Sequence, residues 1–346
     1  TFGGRDMSTL YITTARAELS EKEKKEQPLA GGIFAVDTKV RGTESFLFGK
    51  IKEENFVFIS QEFQNEAYGT YTSAPYIVAS KSSPVIGTDV TINDRMRENM
   101  IGTSFDLGSP AVVEASALTP LDWCVLDWEH ALWNATTLPA AIQALKDSPM
   151  LCIVRVPSVY GPFIKKALDW GADGVIVPNI HGVEEARMCI EEGKFVPLGH
   201  RGVGPYRPSK NYTQIDPYVK RANHDTLLML MLEKKSLVDE LEEVCKMEGI
   251  DGFIVGRNDL SQSTGRFYSD CEEEIDQLAQ DAMDICVANN RCVGIFSGDP
   301  EEVLRWEKRG VNMMIIGDDA EFIRDGMTSV AEKLNGRPVA KVEKDY

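Results

Sequence analysis

Two short apolar runs each lead into an acid: Leu227–Leu232 runs into Glu233, and Ile250–Val255 leads through Gly256 to Asp259. The first run is continuously apolar, as a strand covered on both faces should be. Between the runs, Ser236–Lys246 carries Leu237, Leu241 and Val244 at helical spacing. A strand–helix–strand order implies parallel neighbouring strands, which brings both acids to the same rim of the sheet. Two carboxylates there repel each other, and a hard divalent cation between them would relieve the repulsion. The alternative is structural, with Asp259 capping a helix that begins near Leu260 and Glu233 a solvated first-turn acid.

His130, one of four histidines, follows a third apolar run in LDWEHALW, beside Asp127 and Glu129. Strand alternation puts those two acids on one side, where either could orient the imidazole and raise its basicity. A histidine held in a buried turn is the plainer reading. Arg155 ends the run IVRVP. A fixed cation there can stabilise a developing oxyanion or bind a carboxylate, and it can equally form an ion pair with Glu233 or Asp127. The loop HRGVGPYRPSKNY (200–212) combines glycines with Arg201, which suits an anion and also suits an ordinary surface loop.

Such groups need a rigid scaffold. From Asn93 onward, strand patterns near 101–106, 122–127, 151–156, 173–177, 227–232, 250–255, 292–297 and 312–316 alternate with helical ones near 109–117, 136–147, 160–170, 182–192, 236–247, 271–290, 299–309 and 319–334. Eight strands fit an α/β fold closed as a (β/α)8 barrel, whose catalytic groups come from the carboxyl ends of several strands; an open doubly wound sheet is the alternative. None of these strands ends in Lys, which argues against Schiff-base chemistry. No GxxxxGK[ST] loop is present to cradle a nucleotide.

The barrel is expected over 94–335, with a tail at 336–346. Residues 1–50 are different: alternating β-rich segments at 9–16 and 31–38 flank the charged stretch LSEKEKKEQP (19–28). Residues 51–93 carry turn signals and are expected to be a linker or extension. A net charge of −17 argues against nucleic acid or an anionic membrane as partner. Seven cysteines without a CxxC pair form no metal or disulfide framework and suit a reducing, cytoplasmic compartment.

Six segments in order, LDWCVLDWEHA (121–131), VRVP (154–157), GADGVIVP (171–178), RGVGPYR (201–207), LMLE (230–233) and GIDGFIVGRNDLS (249–261), resemble the HpcH/HpaI-type metal-dependent class II aldolases, relatives of the citrate lyase β chain. The family is typified by 4-hydroxy-2-oxoheptanedioate aldolase and 2-dehydro-3-deoxyglucarate aldolase. The resemblance implies a TIM barrel of the phosphoenolpyruvate/pyruvate type and reversible aldol cleavage of a 4-hydroxy-2-oxo acid to pyruvate and an aldehyde. It implies Glu233 and Asp259 as ligands of Mg²⁺ or Mn²⁺, with Co²⁺ also admissible. Arg155 would contact the oxo acid and stabilise the enolate. His130 would be the general acid/base, supported by Asp127, and the amides at Asn258 and Asp259 would receive the carboxylate. Arg201 would be a further binding residue, and the assembly a homo-oligomer, hexameric in the family.

GRNDLSQSTG also resembles the GTNDL segment of phosphoenolpyruvate-utilising enzymes, which supports enolate chemistry. Two departures stand out: Met231 where the family often has Gln, and Arg257 where Pro is common. Met231, with the lone β-rich fragment at 1–50, keeps a non-catalytic metabolite-binding descendant in view, and a CoA-ester lyase of the citrate-lyase type, which would break a carbon–carbon bond on the same metal, is the nearer rival. FGGRDMSTLYITTAR and PLAGGIFAVDTKVRG, within residues 1–50, resemble the last blade of gluconolactonase and regucalcin β-propellers, and no lactonase residue carries over. That fragment suggests a 2-dehydro-3-deoxy sugar acid as substrate, its hydroxyls selected by Arg201, Tyr206 and Arg207.

Overall fold

The computed structural model describes residues 99–335 and the strands Phe2–Gly3, Thr9–Thr13 and Ile33–Asp37. The chain divides into two compact units, Thr1–Ala79 and Ser80–Tyr346. In the first, the three strands pair antiparallel in chain order, two of them inside the segments expected to be β. The charged stretch 19–28, the segment 51–93 and the tail 336–346 lie outside the described residues.

In the second unit eight parallel strands close into a barrel. They are β1 (Met100–Phe105), β2 (Trp123–Asp127), β3 (Leu151–Arg155), β4 (Gly174–Val177), β5 (Leu227–Leu232), β6 (Gly252–Val255), β7 (Cys292–Phe296) and β8 (Met313–Asp318). The helices are α1 (Pro110–Ser116), α2 (Thr137–Ala144), α3 (Phe163–Asp169), α4 (Val183–Gly193), α5 (Ile215–Asp225), α6 (Lys235–Asp239), α7 (Leu241–Val244), α8 (Arg257–Ser263), α9 (Glu272–Ala288), α10 (Pro300–Glu307) and α11 (Asp319–Asn335). Strands β2, β4, β5 and β6 are buried at every position, which is why their sequences read as unbroken apolar runs.

Trp123, Leu151, Met229, Ile254 and Met313 belong to a cluster that fills the barrel interior, while Leu126, Val154, Leu230 and Phe253 pack outward in the larger cluster that joins strands to helices. Gly252 allows β6 and β7 to approach: a Cβ there would meet the Cys292 carbonyl oxygen at 2.6 Å.

Two helices escape the periodicity reading. Helix α5 buries only Tyr218 and Ala222, and α8 (RNDLSQS) only Leu260 and Ser261, so neither shows a sustained apolar stripe. The helix expected over 236–247 is broken into α6 and α7 at Glu240, whose carboxylate accepts the Val183 N–H at 2.7 Å.

The strands that carry Glu233 and Asp259 are tied together near their amino ends. Lys194, only 1% exposed, donates from Nζ to the Thr226 carbonyl at 2.7 Å and to Asp251 Oδ2 at 3.0 Å. The same Asp251 oxygen accepts the Leu228 N–H at 2.7 Å. Lys194→Ala leaves a largely buried carboxylate without its cation, so urea unfolding should show a loss of about 3–5 kcal/mol.

Candidate active site

Asp127 and Arg155 are register partners at the carboxyl ends of β2 and β3. Arg155 Nε and Nη2 donate to Asp127 Oδ1 and Oδ2, each at 2.7 Å, a bidentate pair whose carboxylate is 2% exposed. Burial alone would lower the Arg155 pKa, but the Asp127 hydrogen bonds and charge, with Glu129 and Glu233 behind them, raise it above its ordinary value. Nη1 makes no hydrogen bond among the described residues and is left for another partner.

Asp127 Oδ1 also accepts the backbone N–H groups of Glu129 at 3.1 Å and His130 at 3.4 Å. It therefore shapes the turn that carries the histidine and makes no hydrogen bond to the imidazole. Of the two acids considered for orienting that ring, Glu129 lies nearer, with Oε2 3.6 Å from His130 Nε2. His130 is at the outer lip, its side chain 66% exposed.

Glu129 is the most perturbed acid here. Burial pushes its carboxyl up to about 7, against the opposing charges of Arg155 and His130. Its Oε2 is buried with no hydrogen-bond partner and has only the Arg155 guanidinium at 3.5 Å and His130 nearby.

Glu233 follows β5 directly and is 3% exposed. Burial raises its pKa, the Asn179 N–H donated at 2.6 Å opposes that, and the charge of Asp259 adds to it. Asp259 sits in the first turn of α8, where Gly256, not Asp259, is the capping residue. Asn179 is the connection that sequence reasoning missed. Following β4 at φ 57°, it gives its backbone N–H to Glu233 and its Nδ2 to Glu129 Oε1 at 3.0 Å. Asparagine tolerates the left-handed region better than other side chains, and its place just after strand-like GVIVP was the available signal.

Arg155, Asn258, Asp259 and Met231 line one cavity of about 610 Å³ at this end of the barrel. Arg201 does not. It is 3% exposed, pairs with Asp169 through Nη2 at 2.6 Å, and lies 4.7 Å from the Phe195 ring centroid. The expectation that it binds substrate is corrected: the guanidinium is spent on a buried ion pair and an aromatic face. Arg207 likewise donates to the Pro139 carbonyl and Gln143, away from the cavity. Arg257 does line it, held by Glu302 at 2.8 Å and by Asp276 at 3.3 Å.

The donor set suits a hard cation. Glu233 and Asp259 offer carboxylate oxygens, and the buried unpartnered oxygen of Glu129 shows that acid in this mouth exceeds its compensation. Among the described residues there is no group of three or more His, Cys, Asp and Glu side chains placed to hold a metal. Two carboxylates with the other positions left to water and substrate oxygens is nevertheless a common arrangement for Mg²⁺.

The profile of the HpcH/HpaI aldolase/citrate lyase family matches residues 105–325. The chain belongs to this family. It is 28% identical over 244 residues to a hydroxypyruvate/pyruvate aldolase of Cupriavidus necator, covering 70% of this chain and 90% of that one. It is 28% identical over 232 residues to a 5-keto-4-deoxy-D-glucarate aldolase of Salmonella arizonae, covering 67% and 91%. A solved HpcH/HpaI aldolase/citrate lyase family protein from Burkholderia cenocepacia superposes with a TM-score of 0.66 at 25% identity, covering 70% of this chain and 98% of that chain. The chain is a carbon–carbon lyase of class II in a family whose aldolases are generally dependent on a divalent metal, and a small-molecule substrate fits that activity. Among the described residues no helix is long and apolar enough to cross a membrane.

The buried acid has a measurable signature. A carboxyl pushed from 4.5 to about 7 on folding binds more protons in the native state, so its contribution to stability is lost as pH rises between those values. In metal-free protein, urea midpoints should fall over that window for wild type relative to Glu129→Gln. Asn179→Gly keeps the backbone donor and removes only the bond to Glu129. It should leave stability near wild type and lower kcat/KM by roughly tenfold, the scale of one hydrogen bond to a charged group.

Proposed function

We propose that Glu233 and Asp259 hold the divalent ion, Mg²⁺ or Mn²⁺ with Co²⁺ accepted, and that Arg155 and His130 carry out aldol cleavage of a 4-hydroxy-2-oxo acid beside it. The observation that carries this reading is Arg155: locked by Asp127, it still has Nη1 uncommitted, and it opens on the same cavity as Asp259 and Asn258. The ion supplies Lewis-acid polarisation of the 2-oxo group when bound. Arg155 binds the oxo acid and stabilises negative charge as it develops on the carbonyl oxygen. The backbone N–H groups of Asn258 and Asp259, in the first turn of α8 and without intrahelical acceptors, receive the carboxylate.

His130, at the lip and in contact with water, takes the proton of the C4 hydroxyl through a water molecule. The C3–C4 bond then breaks, its electron pair passes toward the 2-oxo group, and the aldehyde leaves. Protonation at C3 completes pyruvate.

A 2-dehydro-3-deoxy sugar acid is the substrate we favour, supported by polar cavity walls such as Ser104 and Ser297 and, for the broad class of deoxy keto sugar acids alone, by the name of the Salmonella relative, whose glucarate carries a second carboxylate. Those residues take over the hydroxyl-reading role expected of Arg201, Tyr206 and Arg207. A cytoplasmic location is supported by seven cysteines, all free. A homo-oligomer, hexameric as the family resemblance implies, is supported by the exposed apolar side chains of α11, with Met327 at 70% and Leu334 at 80%.

Pyruvate release from a panel of 4-hydroxy-2-oxo acids, with each metal and without CoA, tests the reading. Glu233→Gln and Asp259→Asn should each lower metal-dependent kcat/KM by more than about a hundredfold, beyond the usual cost of outer-shell changes, with the circular dichroism spectrum unchanged. Retained activity in either variant would remove the metal assignment. Sedimentation as a monomer would remove the hexamer.

A further inference from the structure

We infer that the cavity selects acceptor aldehydes that carry no carboxylate, so that the substrates are 2-dehydro-3-deoxy aldonates and not aldarates. This rests on the aldolase reading and deepens it. Beyond the pyruvate end, the walls are acidic. Asp106 just after β1, Asp318 at the end of β8 and Glu321 on α11 line one side, and Asp299 and Glu302 beyond β7 line the next. The arginines that line the cavity, Arg155 and Arg257, are each already engaged by two carboxylates.

Asp106 has the Ser104 hydroxyl at 2.6 Å and Asp318 accepts the Glu321 N–H at 2.8 Å, and neither forms an ion pair among the described residues. Burial, with the charges of Asp127, Asp318 and Asp319, already pushes the Asp106 carboxyl above its ordinary range despite the Ser104 bond. Oxygens with spare lone pairs can accept from an aldehyde's hydroxyls. Glu302 is paired with Arg257 and Glu321 with Arg324, so a second carboxylate would meet no unengaged cation and would face the charges of Asp106, Asp318 and Asp299 opposite Arg155, which the pyruvate portion occupies.

The decisive pair of acceptors is D-glyceraldehyde and tartronate semialdehyde, which share a skeleton and differ in a terminal CH₂OH against COO⁻. With Mn²⁺ and pyruvate, the full chain should condense glyceraldehyde with kcat/KM at least about tenfold higher, the effect of one repulsive charge at partly screened range. Asp318→Asn, and separately Asp106→Asn, should narrow that ratio, and so should added salt. Equal or greater kcat/KM for tartronate semialdehyde, or a ratio moved by neither variant nor salt, would overturn the inference. Deuterium exchange at C3 of pyruvate in D₂O, run without any aldehyde, separates the two levels. Exchange with the wrong acceptor preference overturns this inference alone, whereas no exchange overturns the aldolase reading and the inference with it.

Discussion

A single guanidinium set among desolvated carboxylates governs this barrel mouth. Asp127 and Arg155 face each other because β2 and β3 are parallel neighbours in register, and the planar fork of arginine matches the carboxylate in two hydrogen bonds. Removing one partner of such a buried pair strands the other without compensation, at a cost of about 3–5 kcal/mol. The pair therefore holds Arg155 in one orientation and, through the backbone N–H groups of Glu129 and His130, also sets the turn on which the histidine stands.

One arginine cannot compensate the rest. Glu233 is buried and Glu129 partly so, and both are raised in pKa chiefly by desolvation. Asn179 bridges them with one backbone and one side-chain donor, which satisfies hydrogen bonds without adding charge. The remaining electrostatic deficit is of the kind a divalent cation relieves, which is what supports the proposal of a hard metal beside these carboxylates. The same excess of acid continues along the cavity wall, where it bears on which acceptor the site admits.

Much of this was legible in the chain. Every barrel strand lies within two residues of its expected position, most plainly β4, β5 and β6, which are buried on both faces and apolar throughout. The acids at strand ends were visible for the same reason, as the first polar residues after such runs. Helix α5 was not, since its buried face amounts to two residues, and α8, with as small a face, was legible only as a helix start near Leu260. Arg201 misled because a cation in a glycine-rich loop looks available, and its partner Asp169 lies at the end of a helix distant in sequence.

By itself the sequence determined the periodicity of the barrel and the chemical types carried to its carboxyl rim: a histidine, an arginine and several acids. It also determined the family, because the motif segments keep their order and spacing. Which of those groups meet was decided only by tertiary structure. Whether Asp127 serves the arginine or the imidazole, whether Arg201 faces ligand or core, and that Asn179 ties Glu129 to Glu233 all depend on side chains from separate strands and loops arriving within about 3 Å, the reach of a hydrogen bond. Hydrophobic pattern is a local property that a chain displays along its length, whereas the pairing of charges depends on distances that exist only after the barrel has closed.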